Sequence, residues 1–540
     1  MRLSGNILVK FIILAIALNL LSCSKSDDKP NIVLIMADDM GFSDIGCYGG
    51  EIETPNLDRL ASEGIRFTQF YNNARCCPTR AALLTGLYPH QTGLGHMVDG
   101  VVRDGGYYGE INRNCVTIAE VLGSSGYSTY MSGKWHVSRS VRPEDKSNWP
   151  LQRGFDRFFG TNTGAGSFYD PATLTNMNDT IKAKPGFYYT DAISDTACTF
   201  IESHCRDRKE EPFFLYVAYT APHWPLHAPD EAIQKYQKQY EQGWDVLRQK
   251  RFDRLKELGI IGDDLVLSDR DSRVTEWKLV EEKEWQARRM ATYAAQVDIM
   301  DRGIGRIINT LEENEQLENT LVFFLSDNGG CAEGWNSDTQ WVRRYAPKYN
   351  FDGVELQFGN NPSIIPGPDS TYASYETEWA NLSNTPFRWY KHYGHEGGVA
   401  SPMIMHWPEC LIDQNGLREQ VAGIIDIMAT IVDVTGVDYP ELYGGNAIIP
   451  MEGLSLIDAA INNSPLDRGA YYFEHEWNRY IRKGKWKLVA LWNGDWELYD
   501  MEKDRTELND LSDEYPQLVE ELKDEWERWA WRTGVLPRPE

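Results

Sequence analysis

The chain has 540 residues, 42% of them hydrophobic and 25% charged, the balance of an ordinary globular protein. A wholly disordered chain and a collagen-like one are excluded, and the length accommodates one large α/β domain with an appendage. Asp and Glu number 80 against 54 Lys and Arg, a net charge of −26 that repels nucleic-acid backbones, excludes nucleic acid as a partner class, and suits a bound divalent cation.

The N-terminal stretch reads as a targeting signal. Arg2 and Lys10 supply positive charge, and residues 11–21 (FIILAIALNLL) are apolar. That run is short of the roughly 20 residues a membrane-spanning helix needs. It ends Leu20-Leu21-Ser22-Cys23, which resembles a bacterial lipobox. The expectation is a lipoprotein signal peptide at 1–22, an acylated Cys23 and a polar tether at 23–30. The alternative is a plain secretory signal with an incidental cysteine. Asp27-Asp28 in the tether resembles the acidic signal that exports lipoproteins to the cell surface. The expected location is therefore the bacterial outer membrane and cell surface, or the periplasm, with the lipid as the membrane anchor.

Residues 31–37 (NIVLIMA), 212–219 (PFFLYVAY) and 321–325 (LVFFL) are short apolar runs. Runs apolar on both faces suit parallel strands covered by helices. Between them, Leu57, Leu60, Ala61 and Ile65 share one helical face, and a longer face runs from Tyr293 through Val297, Met300, Ile304 and Ile308 to Leu311. The alternation predicts an α/β fold with a large, mostly parallel or mixed sheet flanked by helices. Residues 230–290 are heavily charged with apolar residues at helical spacing, and read as solvated helices over one edge. Residues 336–386 are irregular and rich in Gly, Pro, Asn and aromatics, which predicts a functional insertion or lid. From residue 470 the pattern turns to short strands (YYFEHEW, YIRKGKWKLVAL, DWELYDM), then a closing helix over 514–530. The expected organisation is a catalytic α/β domain at 31–465 and a C-terminal subdomain at 466–540, a small antiparallel sheet with one helix.

The chemistry falls at strand ends. The first apolar run ends in Asp38-Asp39, and the run at 321 ends in Ser326-Asp327-Asn328-Gly329-Gly330. Open α/β sheets bind ligands just beyond the carboxyl ends of their strands. Three carboxylates and an amide oxygen delivered there are hard ligands suited to calcium or magnesium. Either pair alone would read as a strand-ending turn. The stretch Cys76-Cys77-Pro78-Thr79-Arg80 precedes a small-residue run, AALLTG. Pro78 suits the first helical position and Gly86 the stop. Cys76 then lies at a helix N-terminus, where free backbone N–H groups and the dipole favour an anion, with Arg80 one turn along. A capped core helix with two buried thiols is the other reading of these residues. Of the nine cysteines, Cys198 and Cys205 lie seven apart, and a disulfide or two free thiols are both open. No CxxC pair is present, which argues against a cysteine zinc site.

The segment C-x-P-T-R with its small-residue helix resembles the signature of the type I sulfatases of the alkaline phosphatase superfamily. Many members have Ser where this chain has Thr79. The match continues in order through NIVLIMADDMGFSDIGCYG, SGKWH, APHWPLHAP, SDNGG and PFRWYKHYGHEGGVASPMI, and the C-terminal strands resemble the family's final sheet. The stretch from APHWPLHAP to residue 259 looks especially like bacterial arylsulfatases. The resemblance implies that Cys76 is converted by a sulfatase-maturating enzyme to formylglycine (3-oxoalanine), with Cys77 a spectator. It implies Asp38, Asp39, Asp327 and Asn328 as ligands of Ca2+, with Mg2+ as the alternative. It further implies Arg80, Lys134, His136, His223 and Lys391 as catalytic residues.

In that scheme the metal, Arg80, Lys134 and Lys391 offset charge on the sulfate ester. The hydrated aldehyde at 76 attacks sulfur, with Asp327 as the base. His223 or Lys391 protonates the departing alcohol, and His136 helps the aldehyde re-form. His227, His392, His395, Trp224 and Trp389 flank the matched motifs and are candidates for substrate contact. The implied substrate is a sulfated carbohydrate cleaved by exo-action, such as a galactose sulfate. A small aryl sulfate ester and a phosphonate or phosphodiester are the alternatives, and a non-enzymatic glycan-binding lipoprotein is disfavoured by intact site residues.

Overall fold

The computed structural model describes residues 29–98, 104–334 and 346–538. The expected signal peptide, Cys23 and the Asp27-Asp28 pair lie outside the described residues. Among the described residues no helix is long and apolar enough to cross a membrane.

The main sheet contains β1 (Asn31–Asp38), β2 (Ile65–Tyr71), β3 (Ser128–Lys134), β4 (Arg157–Thr161), β5 (Leu174–Asn176), β6 (Asp179–Thr180), β7 (Phe213–Pro222) and β8 (Thr320–Ser326). Two short strands, β9 (Gln357–Phe358) and β10 (Thr371–Tyr372), pair apart from it. The sheet resumes with β11 (Ala400–His406), β12 (Gly416–Arg418) and β13 (Ala422–Gly423). Its order is β12-β2-β11-β8-β1-β7-β3-β4-β5-β6, with β13 also on β2. The run β8-β1-β7-β3-β4 is parallel, whereas β11 runs antiparallel between β2 and β8.

β1 shows why its sequence makes a central strand. Successive side chains alternate faces, so Val33, Ile35 and Ala37 join one core cluster while Ile32, Leu34 and Met36 join the other. Both clusters need covering layers. The helices Pro55–Glu63, Tyr189–Arg208, Asp230–Tyr240 and Lys283–Glu313 cover the first face through Leu57, Ile193, Ile233 and Val297. The helices Cys76–Thr85, Ile118–Gly123 and Asp426–Thr435 cover the second, together with the C-terminal sheet.

That last sheet follows a small hairpin, β14 (Leu442–Tyr443) with β15 (Asn446–Ala447). It orders β16 (Tyr471–His475), β17 (Asn478–Lys483), β18 (Trp486–Ala490) and β19 (Glu497–Asp500) as an antiparallel meander. The closing helix Pro516–Thr533 stacks Trp529 on Tyr472 with ring centroids 5.1 Å apart. Residues of these strands and this helix belong to the second core cluster, so the C-terminal segment shares a core with the large sheet.

Three local expectations change. Ile65 opens β2 rather than ending the helix Pro55–Glu63, because Gly64 intervenes. Pro78 is the third residue of its helix, and Cys76 is the first; Pro is tolerated there because the first-turn N–H groups have no helical acceptor. The stretch expected to be irregular at 336–386 contains β9, β10 and the helix Glu376–Ser383 in its described part. Cys198 and Cys205 are free thiols.

Candidate active site

Parallel strands bring their carboxyl ends to one edge, and the sequence places polar residues at each of those ends. β1 delivers Asp38 and then Asp39, whose backbone is left-handed (φ 66°). β8 delivers Asp327 and Asn328, β3 delivers Lys134, and β7 leads into His223. The helix after β2 delivers Cys76 and Arg80. Lys391 comes on the turn ahead of β11, which starts at this edge because it is antiparallel. At Gly133 a Cβ would lie 1.9 Å from the Ala218 carbonyl oxygen, so β3 can approach β7 there only as glycine.

Ten expected residues converge: Asp38, Asp39, Cys76, Arg80, Lys134, His136, His223, Asp327, Asn328 and Lys391. None is more than 5% exposed. Asp39 N donates to Asp327 Oδ1 at 3.1 Å, and Asp327 N donates to the Ala37 carbonyl at 3.2 Å, which joins the two strand ends. Lys134 Nζ lies 2.5 Å from Asp38 Oδ2. Arg80 Nη2 donates to Asp327 Oδ2 at 3.0 Å and stands 3.7 Å from Asp38 Oδ1. Its Nη1 is held by the Lys134 carbonyl and the Tyr216 hydroxyl. Lys391 Nζ lies 2.8 Å from Asp39 Oδ1 and 3.3 Å from His223 Nε2. His223 Nδ1 faces the Trp224 carbonyl at 2.7 Å, so that nitrogen carries the proton and Nε2 offers its lone pair to the site.

Burial and mutual repulsion shape the titration of this cluster. Burial first, then the neighbouring Asp327, raise the Asp38 carboxyl well above its usual range. Burial also opposes ionisation of Asp39, but the Lys391 ammonium and a hydrogen bond from the Asn328 amide help hold that carboxyl low. Burial pushes His223 down to about 4, so the ring is neutral. Burial opposes the charge on Lys391 too, and Asp39 overcomes it, which keeps the ammonium protonated. The Cys76 thiol is held well below its usual value by a hydrogen bond from Cys77 and by Lys134 and His136, against the opposing effect of burial. Position 76 therefore favours a negative charge, as its place at the helix N-terminus predicts. His136 Nε2 contacts the neighbouring sulfur, Cys77 Sγ, at 3.3 Å.

The donors fit a hard divalent cation. Asp38 Oδ1 and Asn328 Oδ1 are buried with no hydrogen-bond partner, and a buried oxygen left unsatisfied is costly without a compensating ligand.

The remaining candidates separate. Trp224 flanks the site: its ring lies 4.4 Å from the His223 ring, and Nε1 donates to Glu333 Oε2 at 2.9 Å. His392 lies at the mouth, 30% exposed, with Nδ1 3.1 Å from Glu476 Oε2. His227 is fully buried. Its ring is taken up by the Phe168 N–H and the Thr371 carbonyl, a packing role. His395 is fully buried and paired with Glu497 of β19, so it ties the loop to the C-terminal sheet. Trp389 packs at a tilt against the rings of Tyr393 and His395. Two residues at the mouth carry no motif: Arg75 and Glu333, ion-paired at 2.7 Å. Arg75 directly precedes Cys76, which was the available signal, whereas Glu333 becomes relevant only through the fold.

Three buried carboxylates, an amide and three cations at the carboxyl edge of a mixed sheet define an ester hydrolase of the alkaline phosphatase type. The chain belongs to the sulfatase family, as a type I sulfatase and hence a sulfuric ester hydrolase. The family model "Sulfatase" matches residues 30–437, and "N-sulphoglucosamine sulphohydrolase, C-terminal" matches 386–530. The chain is 34% identical to an uncharacterized sulfatase of Schizosaccharomyces pombe, over 95% of each chain. It is 32% identical to the arylsulfatase of Klebsiella aerogenes, over 79% of this chain and 91% of that one. The crystal structure of Ps i-CgsB in complex with k-i-k-neocarrahexaose superimposes with a TM-score of 0.66 at 24% identity, over 95% of this chain and 98% of that one.

Proposed function

We propose that the protein removes sulfate from a sulfated carbohydrate by exo-action, using a formylglycine at position 76 and a calcium ion held by Asp38, Asp39, Asp327 and Asn328. The observation that carries the carbohydrate reading is the chemistry of the mouth. Arg75 and Glu333 are paired there, Trp224 steadies Glu333, and His392 and Glu476 lie half-exposed beside them. A mouth built from part-exposed charged and hydrogen-bonding groups suits a polyhydroxylated substrate, whose hydroxyls can both donate to the carboxylates and accept from the guanidinium and imidazole. The arylsulfatase name of the Klebsiella relative supports the second reading, a small aryl ester.

A bound divalent cation draws charge from sulfur and orients a sulfate oxygen. A formylglycine at 76 supplies an oxygen nucleophile and lets sulfate depart afterwards, which a thiol does not. The chain's own residues do the rest. Arg80 and Lys134 hold the anionic oxygens from the floor, fixed by Tyr216 and Asp38, so their charge is in place before the reaction. Lys391 Nζ holds the proton for the leaving alcohol, since His223 is neutral and presents a lone pair 3.3 Å away. His223 orients that ammonium. His136 accepts a proton on the side of position 76. The targeting signal places this activity, in our proposal, on a lipid-anchored protein at the cell surface or in the periplasm, where polymeric sulfated glycans are accessible.

The test is sulfate release from a panel of sulfated galactose, N-acetylglucosamine, uronate and aryl esters, with the protein co-produced with a sulfatase-maturating enzyme. Release from one sugar position, abolished in Cys76→Ala with the fold kept, is the expected result. Turnover confined to aryl esters would replace the carbohydrate reading, and turnover of phosphate diesters alone would assign a different ester class. Retained activity in Cys76→Ala would overturn the nucleophile.

A further inference from the structure

A second group of metal-ligating side chains stands at the mouth, separate from the strand-end carboxylates. Ligand atoms of His392, His475 and Glu476 all lie within 4.8 Å of one another. His392 Nδ1 is 3.1 Å from Glu476 Oε2, and His475 Nε2 is 3.8 Å from Glu476 Oε1. A tetrahedral zinc ion with bonds of 2.0–2.1 Å sets its ligand atoms roughly 3.3 Å apart. The two histidine–carboxylate distances, one to each Glu476 oxygen, fall on either side of that value.

The protonation pattern points the same way. His475 is fully buried, and its Nδ1 faces the Gly95 carbonyl at 3.2 Å, so Nδ1 carries the hydrogen. Nε2 then presents a lone pair, it is buried, and it has no hydrogen-bond partner. It faces a carboxylate oxygen, which is another lone pair. Two acceptors turned toward each other repel unless a cation lies between them. A histidine whose second nitrogen donates to a backbone carbonyl is the arrangement that orients metal-binding imidazoles.

The backbone is bent to make this arrangement. Glu476 and Trp477 form the two-residue turn between β16 and β17, and both have left-handed backbone (φ 46° and 69°). That turn type favours Asn-Gly. His392, on the loop from Lys391, is also left-handed (φ 91°). Non-glycine residues are uncommon in that region, and those held there collect at functional sites. His96 flanks the group, its ring 5.5 Å from that of His475 and its Nδ1 3.9 Å from Glu476 Oε1.

We propose that His392, His475 and Glu476 form a second metal site for a zinc-class divalent cation, with a remaining coordination position for water or a substrate oxygen. Two imidazoles and one carboxylate select such a cation, while the all-oxygen set at the strand ends selects calcium or magnesium. The site lies beside Arg75, next to position 76, so a metal there would bear on substrate binding rather than on the sulfur chemistry.

The test uses the full chain with Cys76→Ser and Cys77→Ser, because Cys76, Cys77 and His136 form a neighbouring group that would also take zinc. Calcium is present in excess, and Zn2+ is titrated by calorimetry with metal content measured after dialysis. One zinc equivalent is expected, with affinity reduced at least about 100-fold in His475→Ala, His392→Ala and Glu476→Gln, beyond the range seen for losing an outer-shell partner. His392 is part-exposed, so its variant keeps the core intact if His475→Ala does not fold. Co2+ in place of zinc should give visible absorption in the parent and none in the variants. No zinc equivalent in the parent, or one undiminished in His392→Ala and Glu476→Gln, overturns the proposal. Neither readout depends on sulfatase activity.

Discussion

Lys391 touches both Asp39 and His223, so the ammonium that is the proton donor in the proposed mechanism is fixed between an expected metal ligand and a neutral imidazole. Lys391→Ala should lower kcat for sulfate release by about 10²–10³, the usual cost of removing one preorganised transition-state donor. Its KM should change much less, as steady-state kinetics on the cognate ester would show. Glu333 acts differently, since it holds Arg75 and Trp224 at the mouth. Glu333→Gln should raise KM about 10- to 150-fold with kcat nearly unchanged, from the loss of a charge-assisted hydrogen bond of about 1.5–3 kcal/mol. Equal losses in kcat and kcat/KM would instead place Glu333 in the transition state. At this scale Asp38, Asp39, Asp327, Asn328, Cys76 and Arg80 were legible from motifs at strand and helix ends, whereas Lys134, His136, His223 and Lys391 were named through the family resemblance. Glu333 and Glu476 were not, because the segments carrying them meet Arg75 and His392 only when the chain folds. His227 and His395 were candidates by proximity in sequence to motif residues. Their rings turned out to be committed to backbone and to Glu497, and sequence distance cannot report which way a side chain turns.

The element that holds Lys391 is itself clamped from the C-terminal sheet. Glu396, five residues on, accepts from Lys487 Nζ at 2.9 Å, Arg505 Nε at 3.0 Å and the Tyr71 hydroxyl at 3.0 Å. Lys487 also pairs with Glu507 at 2.8 Å, and Glu507 Oε2 accepts from Glu396 N. Burial opposes ionisation of Glu396, but Lys487 and Arg505 outweigh it and hold the carboxyl at about 2. Lys487→Met leaves two buried carboxylates short of a partner. Breaking a buried pair in this way costs about 3–5 kcal/mol, so the variant should unfold at distinctly lower urea concentration. Replacing one surface pair, Arg206 with Asp207 for example, should leave the midpoint in place. The apolar runs and the C-terminal strands were legible as elements, since their burial periodicity is written locally. The antiparallel insertion of β11 between β2 and β8 was not, because strand order depends on pairings hundreds of residues apart. It is that inversion which starts β11 at the catalytic edge and lets the Lys391 turn reach the site.

Across the whole molecule, the response to acid follows from histidines that folding buries in the neutral form. His227 is the clearest case. The Phe168 N–H donates to its Nδ1 at 3.3 Å, and its Nε2 faces the Thr371 carbonyl at 2.6 Å, so both nitrogens are satisfied only while the ring is uncharged. Burial therefore pushes it down to about 4 from an ordinary 6.5, with the Thr371 carbonyl opposing. His406 is likewise pushed down to about 4, by burial against the opposing charge of Glu63. A depressed histidine means that the unfolded chain binds the proton first. Stability is therefore flat above about pH 6.5, falls as pH drops from 6.5 toward 4, and stops falling for that group once the folded ring is itself protonated. A shift of this size corresponds to roughly 3 kcal/mol for each ring. Glu396 adds a later loss, because its folded value is depressed below that of the unfolded chain. Its contribution is present above about pH 4.5 and fades toward pH 2. Unfolding should consequently take up protons between pH 6.5 and 4, as calorimetry in buffers of different ionisation enthalpy would measure. His227→Gln should remove close to one proton from that uptake and flatten the fall in unfolding temperature over the same interval. An unchanged uptake in the variant would mean that His227 already titrates normally in the folded protein, and that its two hydrogen bonds do not hold the ring neutral.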